Sequence, residues 1–136
     1  MKLRLKGNSL RLRLGQSEVA RLRDGGILEE ATVFGPLGGQ RLLYTLSIAN
    51  AGQSISASFD GGRVHVHIPS DMVRRWAGSD DMSVSGSQPT GDGRSLHILV
   101  EKDLECLDPS ASAGESQADT FPHPQPSALC GKASGR

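Results

Sequence analysis

The most constraining feature of the sequence is a pair of alternating runs on either side of Gly61-Gly62. Apolar residues occupy every second position of both runs: Ile55, Ala57 and Phe59 before the glycines, and Val64, Val66 and Ile68 after them. Such alternation is typical of strands with one buried face, and a short glycine loop between two of them predicts a β-hairpin. His65 and His67 then lie together on the opposite, polar face.

A short helix is expected directly after this hairpin. Pro69 ends the second strand because proline lacks the N–H that a sheet ladder needs, and Ser70 is placed to cap a helix. Met72, Val73 and Trp76 give that helix an apolar stripe, which predicts that it packs on the hairpin.

Residues 2–14, KLRLKGNSLRLRL, predict a second hairpin with a turn at Gly7-Asn8. Its leucines share one face, and its other face carries five cations: Lys2, Arg4, Lys6, Arg11 and Arg13. The expected register sets Arg4 opposite Arg11, and like charges in opposed positions destabilise a strand pair. We therefore expect an acidic partner against this face.

The last predicted strand, residues 96–107, supplies a matching acidic row at Glu101, Asp103 and Glu105. We expect this strand to lie beside the N-terminal hairpin, so that acids and bases form ion pairs. Lys102 interrupts its apolar side, so the strand should bend or fray there.

The remaining segments complete an α+β prediction. Ser17 is placed to cap a short helix that buries Val19 and Leu22, and residues 27–34 predict an irregular strand. Residues 41–49 predict a strand that continues into the central hairpin, and these three strands are expected to form a meander. Residues 82–86 predict another short strand. Together these elements predict about seven mostly antiparallel strands in a curved sheet or open barrel, with two short helices.

The composition changes after residue 108. Residues 1–108 are expected to form a single α+β domain, whereas residues 109–136 are rich in Pro, Ser, Ala and Gly and should form a disordered tail. Phe121 and the prolines after it leave two alternatives open. The segment either stays solvated or lays Phe121 on a surface, of its own domain or of a partner.

Charge and composition exclude several classes of partner. Fifteen basic residues balance fifteen acidic ones, so no overall field favours nucleic acid or a membrane, and few aromatic residues are present for stacking on bases. No apolar stretch reaches the roughly 20 residues that span a bilayer. With a charged first strand and only Cys106 and Cys130 as thiols, the sequence predicts a cytoplasmic protein without a structural disulfide.

Three segments carry a resemblance: MKLRLKGNSLRLRL at residues 1–14, ILVEKDLECLD at residues 98–108, and FPHP at residues 121–124. With these segments the chain resembles an uncharacterised family of short bacterial proteins, a domain of unknown function. The resemblance implies a bacterial, cytosolic protein. It implies no activity, cofactor or catalytic residue.

The basic hairpin face is the first candidate site. Clustered Lys and Arg side chains donate charge-assisted hydrogen bonds to phosphate oxygens, so Lys2, Arg4, Lys6, Arg11 and Arg13 form a candidate anion-binding set. The alternative is that the acidic row neutralises these cations within the domain.

A metal site and a catalytic site are also candidates. His65 and His67 project from the same face of one strand and share the geometry needed to bind one metal ion. No CxxC or HExxH motif accompanies them, however, and no cofactor is expected. His97 and Cys106 fall on opposite strand faces, so the sequence contains no recognisable triad and does not favour an enzyme.

The sequence therefore predicts a small cytosolic binding or accessory module that presents its basic hairpin to an anionic small molecule or a protein. The alternative is a small hydrolase or metal-dependent enzyme that uses His65 and His67. Exposed sheet edges are compatible with a homodimer.

Overall fold

Eight strands and two helices form the part of the chain that the computed structural model describes, residues 1–104 and 119–122. In chain order they are β1 (Lys2–Lys6), β2 (Ser9–Leu14), α1 (Gln16–Arg23), β3 (Leu28–Val33), β4 (Arg41–Ala49), β5 (Ser56–Asp60), β6 (Arg63–Pro69), α2 (Ser70–Ala77), β7 (Ser83–Pro89) and β8 (Ser95–Lys102).

The strands form two four-stranded sheets. Sheet 1 has the order β1-β2-β8-β7, and sheet 2 has the order β3-β4-β6-β5. In both sheets the two central strands are parallel and each outer strand is antiparallel to its neighbour. The α+β class and the two short helices are confirmed. The prediction of one mostly antiparallel sheet or open barrel with about seven strands is corrected to two open, mixed sheets.

The two sheets arise from an internal repeat. The order hairpin, helix, hairpin occurs once as β1-β2-α1-β3-β4 and again as β5-β6-α2-β7-β8. Each half places its first hairpin in one sheet and its second hairpin in the other. The predicted meander is therefore wrong, because β4 pairs with β6 rather than with β5.

The register follows the same repeat. Leu12 lies opposite Val100 in sheet 1, and Val66 lies opposite Leu46 in sheet 2. Arg4 faces Arg11 across the first hairpin, as the sequence predicted. The two halves therefore have the same strand-pairing pattern, and each position of β2 has a counterpart in β6.

The core lies between the inner faces of the two sheets and under the helices. Its buried hydrophobic residues are Leu10, Leu12, Leu14, Val19, Leu22, Leu28, Leu46, Ile55, Val64, Val66, Ile68, Val73, Trp76, Ile98 and Val100. Alternation along β2, β6 and β8 sends every second side chain into this cluster. Each fully buried aliphatic side chain contributes about 1.5–3 kcal/mol, which is why the hairpins and the weak helices are stable only together.

The helices begin without the predicted serine caps. Gly15 and Pro69 are the N-cap residues, and neither makes a side-chain cap. At α1, Asp119 takes the place of the expected cap. Its carboxylate accepts hydrogen bonds from the Ser17 N–H at 3.0 Å and the Ser17 hydroxyl at 2.7 Å, and its carbonyl accepts one from the Gln16 N–H at 2.8 Å. A residue remote in sequence therefore satisfies the first turn of the helix.

The predicted tail lies outside the described residues except for residues 119–122. Within that segment the Phe121 N–H donates to the Asp103 carbonyl at 2.7 Å, and Phe121 pairs with Leu104 in a parallel bridge. Of the two alternatives for Phe121, the structure shows the one in which it packs on its own domain.

The two sheets also meet at the edge strands β5 and β7. The Gln88 amide donates to the Ala57 carbonyl at 2.7 Å, and the Ala57 N–H donates to the Gln88 side-chain oxygen at 2.9 Å. Gly86 lies at the same seam, where a Cβ would fall 2.3 Å from Cγ2 of buried Ile55. A side chain at position 86 would therefore force the sheets apart.

We expect Gly86→Ala to lower the free energy of unfolding by about 1–3 kcal/mol, the usual cost of overpacking. Equilibrium denaturation in urea measures this change. Gly38→Ala is the matched control, because a Cβ there meets nothing within 4 Å. Equal stability of the two variants would show that the seam between β5 and β7 is looser than described.

A second prediction concerns Asp119, whose pKa is held below its ordinary value chiefly by the hydrogen bond from the Ser17 hydroxyl. A carboxyl with a lowered folded-state pKa stabilises the fold above its unfolded-state pKa, and this contribution is lost as the pH falls through the folded-state pKa. We expect Asp119→Asn to cost about 1 kcal/mol at neutral pH, as for a lost N-cap, and nothing in strong acid.

Urea denaturation of the wild type and Asp119→Asn across the acidic range measures this convergence. Asp60→Asn is the control, because Asp60 is exposed and makes no ion pair or hydrogen bond with other described side chains. A difference between the wild type and Asp119→Asn that persists unchanged into strong acid would contradict a role for the ionised carboxylate.

Candidate functional site

The outer face of sheet 1 carries the cations that the sequence singled out. Alternation along β1 and β2 places their leucines on one face and five cations on the other. We call this cationic set the basic face: Lys2, Arg4, Lys6, Arg11 and Arg13. The antiparallel register sets Lys2 opposite Arg13 and Arg4 opposite Arg11. The structure thus brings all five predicted residues to one surface.

Acidic residues neutralise one end of the basic face. The Glu101 carboxylate lies 2.6 Å from Nε of Arg13 and 3.6 Å from Nε of Arg11, and the Asp103 carboxylate lies 2.9 Å from Nζ of Lys2. These contacts exist because β8 pairs with β2 and places Glu101 opposite Arg13. The expected position of the last strand beside the first hairpin is confirmed.

The other end of the basic face has no such neutralisation. Arg4 and Lys6 are exposed, and neither forms an ion pair with any residue in the described ranges. Together with Ser9 and Arg11 they line a small cavity of about 130 Å³. Positive charge is therefore concentrated toward the turn of the first hairpin.

A larger, shallow cavity of about 450 Å³ continues from this point across β2, β8 and β7. It is lined by Ser9, Leu10, Arg11, Ser85, Gly86, Ser87, His97, Ile98 and Leu99. Ser9 and Arg11 belong to both cavities, so the two form one continuous surface. Arg4, Lys6 and Arg11 form the charged end of this surface. The remainder carries the hydroxyl groups of Ser85 and Ser87 and the imidazole of His97.

Sequence reasoning missed the β7 contribution to this surface. The strand predicted over residues 82–86 is longer than expected, because β7 extends to Pro89 and sets Ser87 opposite His97 and Ser85 opposite Leu99. The available signal was the alternation of serines at positions 83, 85 and 87. Because serine is a weak strand former, that signal did not extend the predicted strand beyond residue 86.

His65 and His67 lie on the outer face of sheet 2. Nδ1 of His65 is 2.7 Å from the Thr45 hydroxyl, and Nδ1 of His67 is 3.0 Å from the Ser47 hydroxyl. Among the described residues, no group of three His, Cys, Asp or Glu side chains is arranged to hold a metal ion. The metal site at the two histidines therefore stays a prediction from the sequence.

Other predicted residues cannot be placed. Glu105, Cys106, His123 and Cys130 lie outside the described residues. His97, the base considered for a cysteine nucleophile, lines the cavity on the outer face of sheet 1. Its position links it to the basic face.

Neither helix of the described part has the length and apolar character that crossing a membrane requires. No curated protein matches the chain, and no solved structure matches it. One family model does match, and it covers residues 1–125. The chain belongs to this family, which is described as a family of unknown function (DUF7009).

Proposed function

We propose that the protein is a small binding module that holds an anionic ligand at the Arg4, Lys6 and Arg11 end of the basic face. The observation that carries this proposal is the uneven neutralisation of the five cations. Glu101 and Asp103 form ion pairs at one end only, while Arg4 and Lys6 border an open cavity.

Internal ion pairing does not account for the arrangement by itself. Arg4 directly opposes Arg11, and this like-charge pair is unfavourable in the absence of an anion. Glu101 reaches Arg11 at only 3.6 Å because it bonds more closely to Arg13. An anion placed between Arg4 and Arg11 relieves their repulsion and receives charge-assisted hydrogen bonds from both guanidinium groups.

The adjoining cavity indicates a small ligand that bears a phosphoryl group. A volume of about 450 Å³ is in the range of small-molecule sites. Ser85, Ser87 and His97 offer hydrogen bonds to a polar body, and Leu99 offers an apolar contact. Balanced total charge and few aromatic residues argue against extended nucleic acid. The proposed ligand is therefore a phosphorylated small molecule, which contacts the cations through its phosphate.

The cellular setting of this module is also part of the proposal. The resemblance noted for residues 1–14 and 98–108 implies a bacterial cytosolic protein, and phosphorylated small molecules are cytosolic solutes. A protein partner with a phosphorylated or acidic side chain presents the same chemistry to Arg4 and Lys6. In this proposal the protein acts as an accessory module rather than as an enzyme.

We expect Arg4→Gln combined with Lys6→Gln to weaken binding of a nucleoside monophosphate and of inorganic pyrophosphate by about tenfold or more. Each charge-assisted hydrogen bond contributes about 1.5–3 kcal/mol, and 1.4 kcal/mol corresponds to a factor of ten. Titration of the full chain, followed by amide chemical shifts, measures both affinities and locates the affected residues.

The matched control is Arg74→Gln combined with Arg75→Gln, which removes the same charge from exposed positions on α2. This control should keep the affinity of the wild type. Binding in the wild type should also weaken as salt is added, because exposed charges are screened. Equal affinity in both double variants, or no saturable binding in the wild type, refutes the proposal.

A further inference from the structure

A buried lysine lies on the opposite side of sheet 1 from the basic face. Lys102 ends β8 with an inward-facing side chain and is only 6% exposed. Its Nζ donates a hydrogen bond to the Ser79 carbonyl at 2.7 Å. It also lies over the Trp76 ring at 5.8 Å from the centroid and over the Phe121 ring at 5.4 Å.

Within the described part of the chain, this ammonium group has no direct counter-ion. Lys102 forms no ion pair with any side chain in residues 1–104 or 119–122. Burial, the larger effect, lowers its pKa, while Asp80 and Asp81 act from a distance to raise it. Buried lysines are rare unless paired, because the charge loses its hydration. Of its three N–H donors, one is used by the Ser79 carbonyl, and the described residues supply no second hydrogen-bond acceptor.

The fold itself does not require a cation at this position. The pairing of Leu14 with Lys102 in sheet 1 is repeated in sheet 2 by the pairing of Ile68 with Ile48. The equivalent of Lys102 in the other half of the molecule is thus an aliphatic residue. Residues 119–122 approach only one of these two positions, the one in sheet 1. That position carries the charged side chain of Lys102.

Lys102 opens onto a cavity of about 580 Å³. The cavity is lined by Ala77, Ser79, Asp80, Met82, Lys102, Phe121 and Pro122. Most of these side chains are apolar, and Asp80 is exposed at the rim. Beside the lysine, the Trp76 indole N–H is buried and has no acceptor among the described residues. The region therefore combines apolar side chains with donors that have no acceptor within residues 1–104 and 119–122.

We propose that this cavity binds a small monocarboxylate with an apolar body. The carboxylate accepts hydrogen bonds from the Lys102 ammonium group and supplies a counter-ion that the described residues do not. The apolar body packs against Met82, Phe121 and Pro122. A second anionic group on the ligand is disfavoured, because Asp80 at the rim would repel it.

Residues 119–122 form one wall of this site and are held in place from two directions. Asp119 bonds to the start of α1, and the Phe121 N–H bonds to the Asp103 carbonyl. The site is independent of the proposed phosphate site, because Lys102 and Arg11 point to opposite faces of sheet 1. A negative result for the carboxylate site therefore does not affect the proposed phosphate site, and the reverse also holds.

The test compares three probes of similar length on the full chain: hexanoate, hexanamide and adipate. Trp76 is the sole tryptophan, so its fluorescence reports directly on the site. We expect hexanoate to bind saturably and at least tenfold more tightly than hexanamide, which has no charge, or adipate, which has a second carboxylate. Equal affinities for hexanoate and hexanamide, or no saturable response to hexanoate, overturn the proposal.

Lys102→Met tests the residue itself, because methionine keeps much of the volume and removes the charge. We expect this variant to lose the preference for hexanoate, whereas Arg63→Met, at an exposed position of β6 in sheet 2, keeps it. Hexanoate binding that is unchanged in a folded Lys102→Met variant overturns the assignment. If Lys102→Met does not fold, the three-probe comparison on the wild type decides alone.

Discussion

Parallel pairing between the two halves of the chain is the constraint on which the rest of the structure depends. β2 pairs with β8, and β4 pairs with β6, so each sheet contains one hairpin from each half. Neither half can complete a sheet alone, and the core closes only when both pairings form. These contacts join distant parts of the chain, so the entropy of closing long loops is lost before apolar burial stabilises the structure. We therefore expect slow folding for a chain of this size.

The same pairings create both candidate sites. Placing β8 beside β2 brings Glu101 to Arg13 and carries β7, with its serines, to the edge of the basic face. It also ends β8 near α2, where Lys102 meets Trp76. Neither surface exists within one hairpin, so the binding chemistry proposed for this protein results from the exchange of hairpins between sheets.

Local features were predictable from the sequence, whereas long-range pairing was predictable only where charge supplied a signal. Period-two alternation and glycine turns gave both hairpins with their registers, and the acidic row correctly placed β8 beside the basic hairpin. The pairing of β4 with β6 carries no such charge signal, since Leu46 and Val66 only indicate burial. The internal repeat was not recognised in the sequence because equivalent positions are both hydrophobic but are different residues, as Leu12 and Val66 are.

Site prediction had the same limit. The five cations were predicted because they are close in sequence, but Ser85, Ser87 and His97 join them only through the sheet. Asp119 could not be predicted as the cap of α1 because a cap is normally sought in the adjacent residues. Lys102 was interpreted as an interruption of the apolar face of the last predicted strand. That interpretation predicted a bend or fraying near Lys102 within a strand over residues 96–107, whereas β8 ends at Lys102, and it gave no reason for a buried charge.

Comparison of the two halves separates what the fold requires from what it merely permits. Core positions such as Leu14 and its counterpart Ile68 are apolar in both halves, whereas buried Lys102 corresponds to Ile48. Outside positions change freely, and Arg11 of sheet 1 corresponds to His65 of sheet 2. The fold therefore tolerates an outer sheet face without the permanent cations of sheet 1, as at His65, and an aliphatic residue at the position of Lys102, as at Ile48. Because the shared fold requires neither the exposed cations nor the buried one, the comparison of the two halves supports both proposed sites.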